Sequence, residues 1–307
     1  PSFPNKKFLL GIVILLSGLL ATIVAFLRQT LERGFVSGEQ IESLTGVTSL
    51  GFVPLVANKG GDSAELLQYL VEYPRSALSQ SLRTAHWSTT LSAGPEVKKI
   101  VITSSRPGEG KTTVATGIAR TQALAGRRTL LIDADTRNPG VHTALGKSLR
   151  PGLLDVLRGD ARTEVIVKDG PTNLDIVCAG QGGQDPLMLL DSTEMNSFLD
   201  RMEREYDVIV IDTPPLMAAS DACALSRKAD TTVLVVRWSS TPREAVVHAM
   251  RQLTRAGGHL AGALLTMVDV KKHAEYQYGD SGAYHGSLRQ YYVESTPGEK
   301  GQVVDGQ

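Results

Sequence analysis

Cysteine is scarce in this 307-residue chain. Cys178 and Cys223 lie far apart in apolar surroundings, which excludes a disulfide framework and zinc-type ligand spacing and makes a reducing compartment the expectation. Net charge is lacking as well. Thirty-two Lys and Arg balance thirty-two Asp and Glu, leaving no field to draw in a phosphate backbone, so a general nucleic-acid binder is excluded. Aromatic residues make up only 5% of the chain, and they interleave with basic ones nowhere before the C-terminal tail. No internal repeat is visible. What is plentiful is aliphatic sequence: a hydrophobic fraction of 42% over 307 residues fills the core of one α/β domain with an appendage.

One apolar run stands apart. Phe8 to Leu27, FLLGIVILLSGLLATIVAFL, carries no charge over twenty residues; at 1.5 Å per residue it would reach about 30 Å as a helix, the thickness of a bilayer core. It is therefore expected to be a transmembrane helix. A cleaved signal peptide would have a shorter apolar stretch. Lys6 and Lys7 precede it and Arg28 and Arg33 follow, so flanking charge does not set its orientation. The chain opens on Pro1, with PSFPNKK ahead of the span, and is read as continuing upstream. Residues 1–7 then form the extracytoplasmic end of that region, 8–27 the span, and 28–94 a cytoplasmic linker with N-terminal helices.

The richest stretch is Ile100 to Thr113, IVITSSRPGEGKTT. A short apolar strand feeds a glycine-rich turn closing on Gly110-Lys111-Thr112, the sequence form of a nucleotide-phosphate cradle. Gly108 and Gly110 let successive N–H groups converge on one anion, Lys111 adds a point charge against the β and γ phosphates, and Thr112 offers a hydroxyl to Mg²⁺. The helix starting there contributes the positive end of its dipole. Ser105 stands where the first glycine of the usual spacing would be.

Two further apolar strands end in carboxylates. They are Leu130-Leu131-Ile132-Asp133-Ala134-Asp135-Thr136-Arg137 and Val208-Ile209-Val210-Ile211-Asp212-Thr213-Pro214-Pro215. In an open parallel sheet the ligand crevice lies at the carboxyl ends of strands, so Lys111, Asp133, Asp135 and Asp212 can converge there. Strands are expected at 99–104, 128–134, 173–178, 207–212, 231–237 and 262–268, with helices at 76–91, 111–125, 193–205 and 242–256. This alternation predicts an α/β fold of the P-loop NTPase type, with a doubly wound, mostly parallel sheet over residues 95–270. From 271 to 307 the composition turns to Tyr276, Tyr278, Tyr284, Tyr291 and Tyr292 among Gly, Ser, His and charged residues, and a mobile tail is expected.

Together SSRPGEGKTT, LLIDADTRNP, VIVIDTPP, the apolar span and the tyrosine cluster resemble the bacterial tyrosine kinases attached to polysaccharide co-polymerases, which set chain length in exopolysaccharide and capsule export. The resemblance covers nearly the whole chain, and Asp133-Ala134-Asp135 with Arg137 is its most specific element. It implies ATP and Mg²⁺ as cofactors. Pro107, Gly108, Glu109, Gly110, Lys111, Thr112 and Thr113 would bind the nucleotide, and Thr112, Asp135 and Asp212 the metal. Lys111, Asp133, Asp135 and Asp212 would be catalytic, with Asp133 orienting or deprotonating the attacking hydroxyl. The five tail tyrosines would be phosphoacceptors. Implied partners are further copies of the chain in an oligomer or ring, the upstream membrane and periplasmic co-polymerase region, the export machinery and a tyrosine phosphatase. The implied location is the bacterial inner membrane, with the catalytic domain in the cytoplasm. The sequence departs from the family where a Glu-x-x-Arg-x-x-Arg subunit-contact motif is represented by Ala77, Gln80 and Arg83, and where Thr266 replaces an asparagine near the adenine. Two other classes stay open: an ATPase switch of the partition or septum-positioning type, which places lysine at the Arg106 position, and a nucleotide-binding scaffold without turnover.

Overall fold

Val, Ile and Leu dominate β2 (Lys99–Ser104), β3 (Thr129–Asp133), β6 (Val208–Asp212), β7 (Thr231–Arg237) and β8 (Leu260–Val268), and nearly every residue of these strands is buried. Near-continuous apolar sequence of this kind marks strands covered on both faces. In the computed structural model, which describes residues 10–20, 22, 34–56, 63–160, 165–181 and 185–276, they form the middle of an eight-stranded sheet. Its order is β1-β8-β7-β2-β6-β3-β5-β4, with β1 (Ser49–Pro54), β4 (Ile166–Lys168) and β5 (Asp175–Val177) completing it. All neighbours run parallel except β4 and β5.

Alternate residues of each strand face opposite layers. Ile100 and Ile102 join the cluster under α3 (Ser63–Glu72), α4 (Ala77–Ala93) and α5 (Lys111–Leu124), whereas Val101 joins Phe198, Leu199 and Met202 of α9 (Thr193–Glu205) on the other side. That second side is completed by α11 (Arg243–Ala256), which buries Val246, Ala249, Met250 and Leu253 at helical spacing. Side-chain caps start several helices: Ser76 accepts from Ser79 N before α4, and Ser192 from Met195 N before α9. Gly117 lets α4 approach α5 closely, since a Cβ there would stand 2.7 Å from Leu82 Cδ1. The remaining helices are α1 (10–20), α2 (Gly38–Thr45), α6 (Val141–Ala144), α7 (Leu153–Leu157), α8 (Pro186–Leu190), α10 (Asp221–Ser226) and α12 (Val270–Tyr276).

The structure differs from the sequence expectation in three places. Residues 38–72, read as part of a linker with N-terminal helices, supply α2, β1 and α3; β1 pairs in parallel with β8, and Leu67 and Leu70 enter the main core beside Leu78 and Leu82 of α4, the helix expected at 76–91. Of the run 8–27 expected to span a membrane, residues 10–20 and 22 are described and are helical, and among the described residues no helix is long and apolar enough to cross a membrane. Third, α12 carries ordered backbone through Tyr276, with His273 buried against Phe52 and Trp238. The rest of the tail, with Tyr278, Tyr284, Tyr291 and Tyr292, lies outside the described residues.

Candidate active site

The phosphate loop leaves the central strand β2 and ends on the first residue of α5. Gly108 and Gly110 adopt φ of 79° and 85°, a region that only glycine visits without strain. Arg106, Pro107 and Gly108 are exposed, and Glu109 is 3% exposed. Thr112 lies beside Gly140, whose added Cβ would meet it at 3.2 Å. Thr113 Oγ1 stands 3.2 Å from Ser63 Oγ, tying α5 to the start of α3.

Strand register brings in the acids. β3 and β6 pair with Asp133 opposite Asp212, and Ala134 N donates to Asp212 O at 2.8 Å, so Asp135 follows directly above the same edge. Lys111 Nζ lies 2.6 Å from Asp135 Oδ2, 4.0 Å from Asp212 Oδ1 and 3.2 Å from Thr112 Oγ1. Lys111, Thr112, Asp133, Asp135 and Asp212 thus meet at the carboxyl ends of β2, β3 and β6. Asp133 is held by backbone donors, with Asp135 N at 3.1 Å from Oδ1 and Val141 N at 3.1 Å from Oδ2. Asp135 Oδ1 accepts from Asn138 N at 3.0 Å. Arg137 makes a two-pronged pair with buried Asp221, Nε to Oδ2 at 2.9 Å and Nη2 to Oδ1 at 3.2 Å. Tyr276, the one expected phosphoacceptor within the described backbone, closes α12.

Burial sets the electrostatics. Asp212 is fully buried, and burial pushes its carboxyl up to about 6, against the pull of Lys111. Burial, with the Asp212 charge beside it, also holds Asp133 well above the usual carboxylate range. Lys111 loses hydration, but Asp212 and Asp135 outweigh that loss and raise its affinity for its proton. Such a cluster is poised to trade charge with a ligand.

A family model described as an AAA domain matches residues 97–256, the stretch holding β2 through α11. The tyrosine-protein kinase YwqD of Bacillus subtilis is 35% identical over 67% of this chain and 87% of its own length. The chain belongs to the bacterial tyrosine-kinase family. The succinoglycan biosynthesis transport protein ExoP of Rhizobium meliloti is 29% identical over 96% of the chain. The chain spans about two fifths of the length of such longer relatives. Among solved structures, the kinase domain of the Escherichia coli tyrosine kinase ETK superposes with a TM-score of 0.70 at 27% identity, covering 76% of this chain and 95% of that one.

Against this bacterial tyrosine-kinase background, the fit of a divalent cation can be judged from the chain itself. Among the described residues no group of three or more His, Cys, Asp or Glu has the spacing of a self-sufficient metal cage. Yet both carboxylate oxygens of Asp212 are buried without a hydrogen-bond partner, a costly state unless something binds there. One or two carboxylates plus ligand phosphates is the donor set Mg²⁺ ordinarily takes, so the residues fit.

Two bacterial tyrosine-kinase residues lie at the loop without having been assigned to it. Thr266, the residue standing in place of an asparagine near the adenine, donates from Oγ1 to Glu109 O at 2.7 Å. Thr241, in the turn after β7, hydrogen-bonds Glu109 Oε1, 132 residues away in sequence. No sequence signal pairs them. Glu109, predicted among the nucleotide-binding residues, has its side chain committed inward.

Proposed function

We propose that this chain is the catalytic region of a membrane-attached protein-tyrosine autokinase, which moves the γ-phosphoryl group of ATP onto tail tyrosines of a neighbouring copy and so regulates exopolysaccharide assembly and export. The observation that carries the reading is the buried meeting of Lys111, Asp133, Asp135 and Asp212 at the mouth of a glycine-rich loop. Phosphoryl transfer needs positioning and charge neutralisation more than covalent chemistry from the protein. The loop N–H groups and the start of α5 would bind the phosphates, and Lys111, paired with Asp135, would exchange that partner for phosphate oxygens. Thr112, Asp135 and Asp212 would hold Mg²⁺, which when bound neutralises charge developing on the phosphate oxygens. Asp133, fixed by two backbone donors, would orient the tyrosine hydroxyl and, in its ionised form, accept its proton, its raised proton affinity making that carboxylate the stronger base.

The span over 8–27 belongs to this proposal. Its support is the apolar sequence and α1 itself, where Leu10, Val13, Ile14, Leu15, Leu16, Leu19 and Leu20 are all more than half exposed, a surface water does not tolerate in quantity. An inner-membrane anchor with the kinase in the cytoplasm, further copies of the chain, an upstream co-polymerase region, an export machinery and an opposing phosphatase complete the reading. The link to polysaccharide export draws on the relative named as the succinoglycan biosynthesis transport protein ExoP.

The test is mass spectrometry of the chain after incubation with Mg·ATP, beside Lys111→Met and a variant with Tyr276, Tyr278, Tyr284, Tyr291 and Tyr292 all changed to Phe. Phosphotyrosine mapping to the tail and vanishing in both variants is expected. Steady ATP hydrolysis with no phosphotyrosine would replace the kinase by a nucleotide-driven switch.

A further inference from the structure

An acid inside an anion-binding loop calls for an explanation, because a carboxylate near phosphates repels them. Glu109 sits between Gly108 and Gly110, both in left-handed conformations, and its side chain does not meet solvent. One carboxylate oxygen, Oε2, accepts from the backbone N of Arg106 at 3.0 Å, across the loop. The other, Oε1, is bonded to Thr241 Oγ1. Thr241 Oγ1 also accepts from Arg237 N at 3.1 Å, so its single proton is directed to Glu109. Thr266 Oγ1 then donates to the carbonyl of Glu109 itself, at 2.7 Å. Thr241 and Thr266 are 3% and 2% exposed.

We propose that Glu109 is a positioning residue, which with Thr241 and Thr266 locks the phosphate loop from behind to the ends of β7 and β8 before nucleotide arrives. The proposal rests on the reading of this loop as a Mg·ATP site. The physical need is clear. Two glycines give the loop the freedom to wrap an anion and make that wrapped shape entropically expensive to hold. Fixing it in advance removes the ordering cost from binding. The anchor is itself firm: Ser239, two residues before Thr241, has φ of 51° and donates its N–H to Phe35 O at 2.8 Å. At Gly34 an added Cβ would stand 2.6 Å from the backbone of Ser239, so the turn is wedged in place by the segment from Gly34 to Phe35.

The geometry makes the chemistry specific. Both oxygens of Glu109 face donors, so a carboxylate satisfies the pair and an amide does not: glutamine would turn its NH₂ toward one of them. Thr241→Val keeps the shape and removes the hydroxyl, while Thr241→Ser keeps the hydroxyl.

Calorimetric titration of the full chain with Mg·ADP and with the Mg complex of a slowly hydrolysed ATP analogue tests this, alongside urea unfolding and steady-state kinetics. Glu109→Gln and Thr241→Val should each weaken binding by about tenfold or more, the scale of one lost charge-assisted hydrogen bond. KM for ATP should rise more than kcat falls, and Thr241→Ser should stay within about threefold of wild type, the hydroxyl bond being retained. Thr266→Val supplies an independent route if Thr241→Val does not fold. Wild-type affinity in Glu109→Gln and Thr241→Val, with Lys111→Met abolishing binding, would overturn the proposal and leave the reading of the site intact. A wild-type chain that binds neither nucleotide would overturn both.

Discussion

Asp212→Asn should make this protein more stable while depriving it of its response to Mg·ATP. The carboxyl is fully buried, its two oxygens have no hydrogen-bond partner, and its affinity for a proton is raised to about 6 from an ordinary 3.8, burial being the largest cause. A rise of roughly two pKa units corresponds to about 3 kcal/mol of penalty on the ionised form. Asparagine has the same shape and never ionises. Lys111 keeps Asp135 at 2.6 Å, so no cation is stranded, and Asp133 is relieved of a repelling neighbour. At pH 7.5 the variant should therefore gain about 2 to 3 kcal/mol, a rise in Tm of roughly 5 to 10 °C.

The pH dependence identifies the cause. Below about pH 4 the group is protonated folded and unfolded, and the two proteins should be equally stable. As pH rises from there to about 6 the unfolded chain releases the proton while the folded one keeps it, so the wild type loses stability and the gap opens; above 6 it is constant. Thermal unfolding of both proteins across pH 4 to 8, with and without Mg·ATP, reads this directly. Saturating nucleotide at about a hundred times Kd should raise wild-type stability by about 2.7 kcal/mol and leave the variant nearly unmoved. A destabilised variant at pH 7.5, or one that keeps the full Mg·ATP stabilisation, would refute the argument.

Other predictions test the frame. His86, buried, is held neutral down to about 4 by burial and the Arg127 charge. The unfolded chain takes up a proton near 6.5 that the folded one refuses, so stability should fall between pH 6.5 and 4 by up to about 3 kcal/mol, and His86→Gln should flatten that limb in urea titrations. Arg120 pairs with Asp169 through two 2.9 Å bonds and donates to Leu67 O at 2.7 Å, with side chains 5% and 1% exposed. Arg120→Met should cost about 3 to 5 kcal/mol by stranding the carboxylate, and adding Asp169→Leu should recover much of it in a double-mutant cycle. A Cβ on Gly262 would stand 2.4 Å from Thr48 O, so Gly262→Ala should prise β1 from β8 at about 1 to 3 kcal/mol by chemical denaturation.

The central strands could be read from sequence because, covered on both faces, they are unbroken runs of aliphatics. The acids were legible for the same reason, since each closes such a run. β1 was not: SLGFVP carries Gly51 and Pro54, the residues that mark a linker, and only its pairing with a strand at the other end of the chain makes it part of the sheet. β4 is three residues long and antiparallel, too short for any periodicity. Lys111 and Thr112 announce themselves by local spacing, whereas Thr241 reaches Glu109 from a turn that local pattern describes only as polar. The inward commitment of Glu109 is likewise a property of what surrounds it.

The pairing of β1 with β8 also bears on how the molecule is made. Ser49 lies opposite Ala263, so β1 is synthesised more than two hundred residues before its partner. At roughly 5 to 20 residues per second that is a wait of roughly 10 to 40 s, during which an apolar edge has nothing to pair with and the closing of so long a loop is entropically costly. The last strand is then the one that completes the domain. Nascent chains stalled before Leu260 should bind holding chaperones through the segment 49–54, and release should coincide with the emergence of β8.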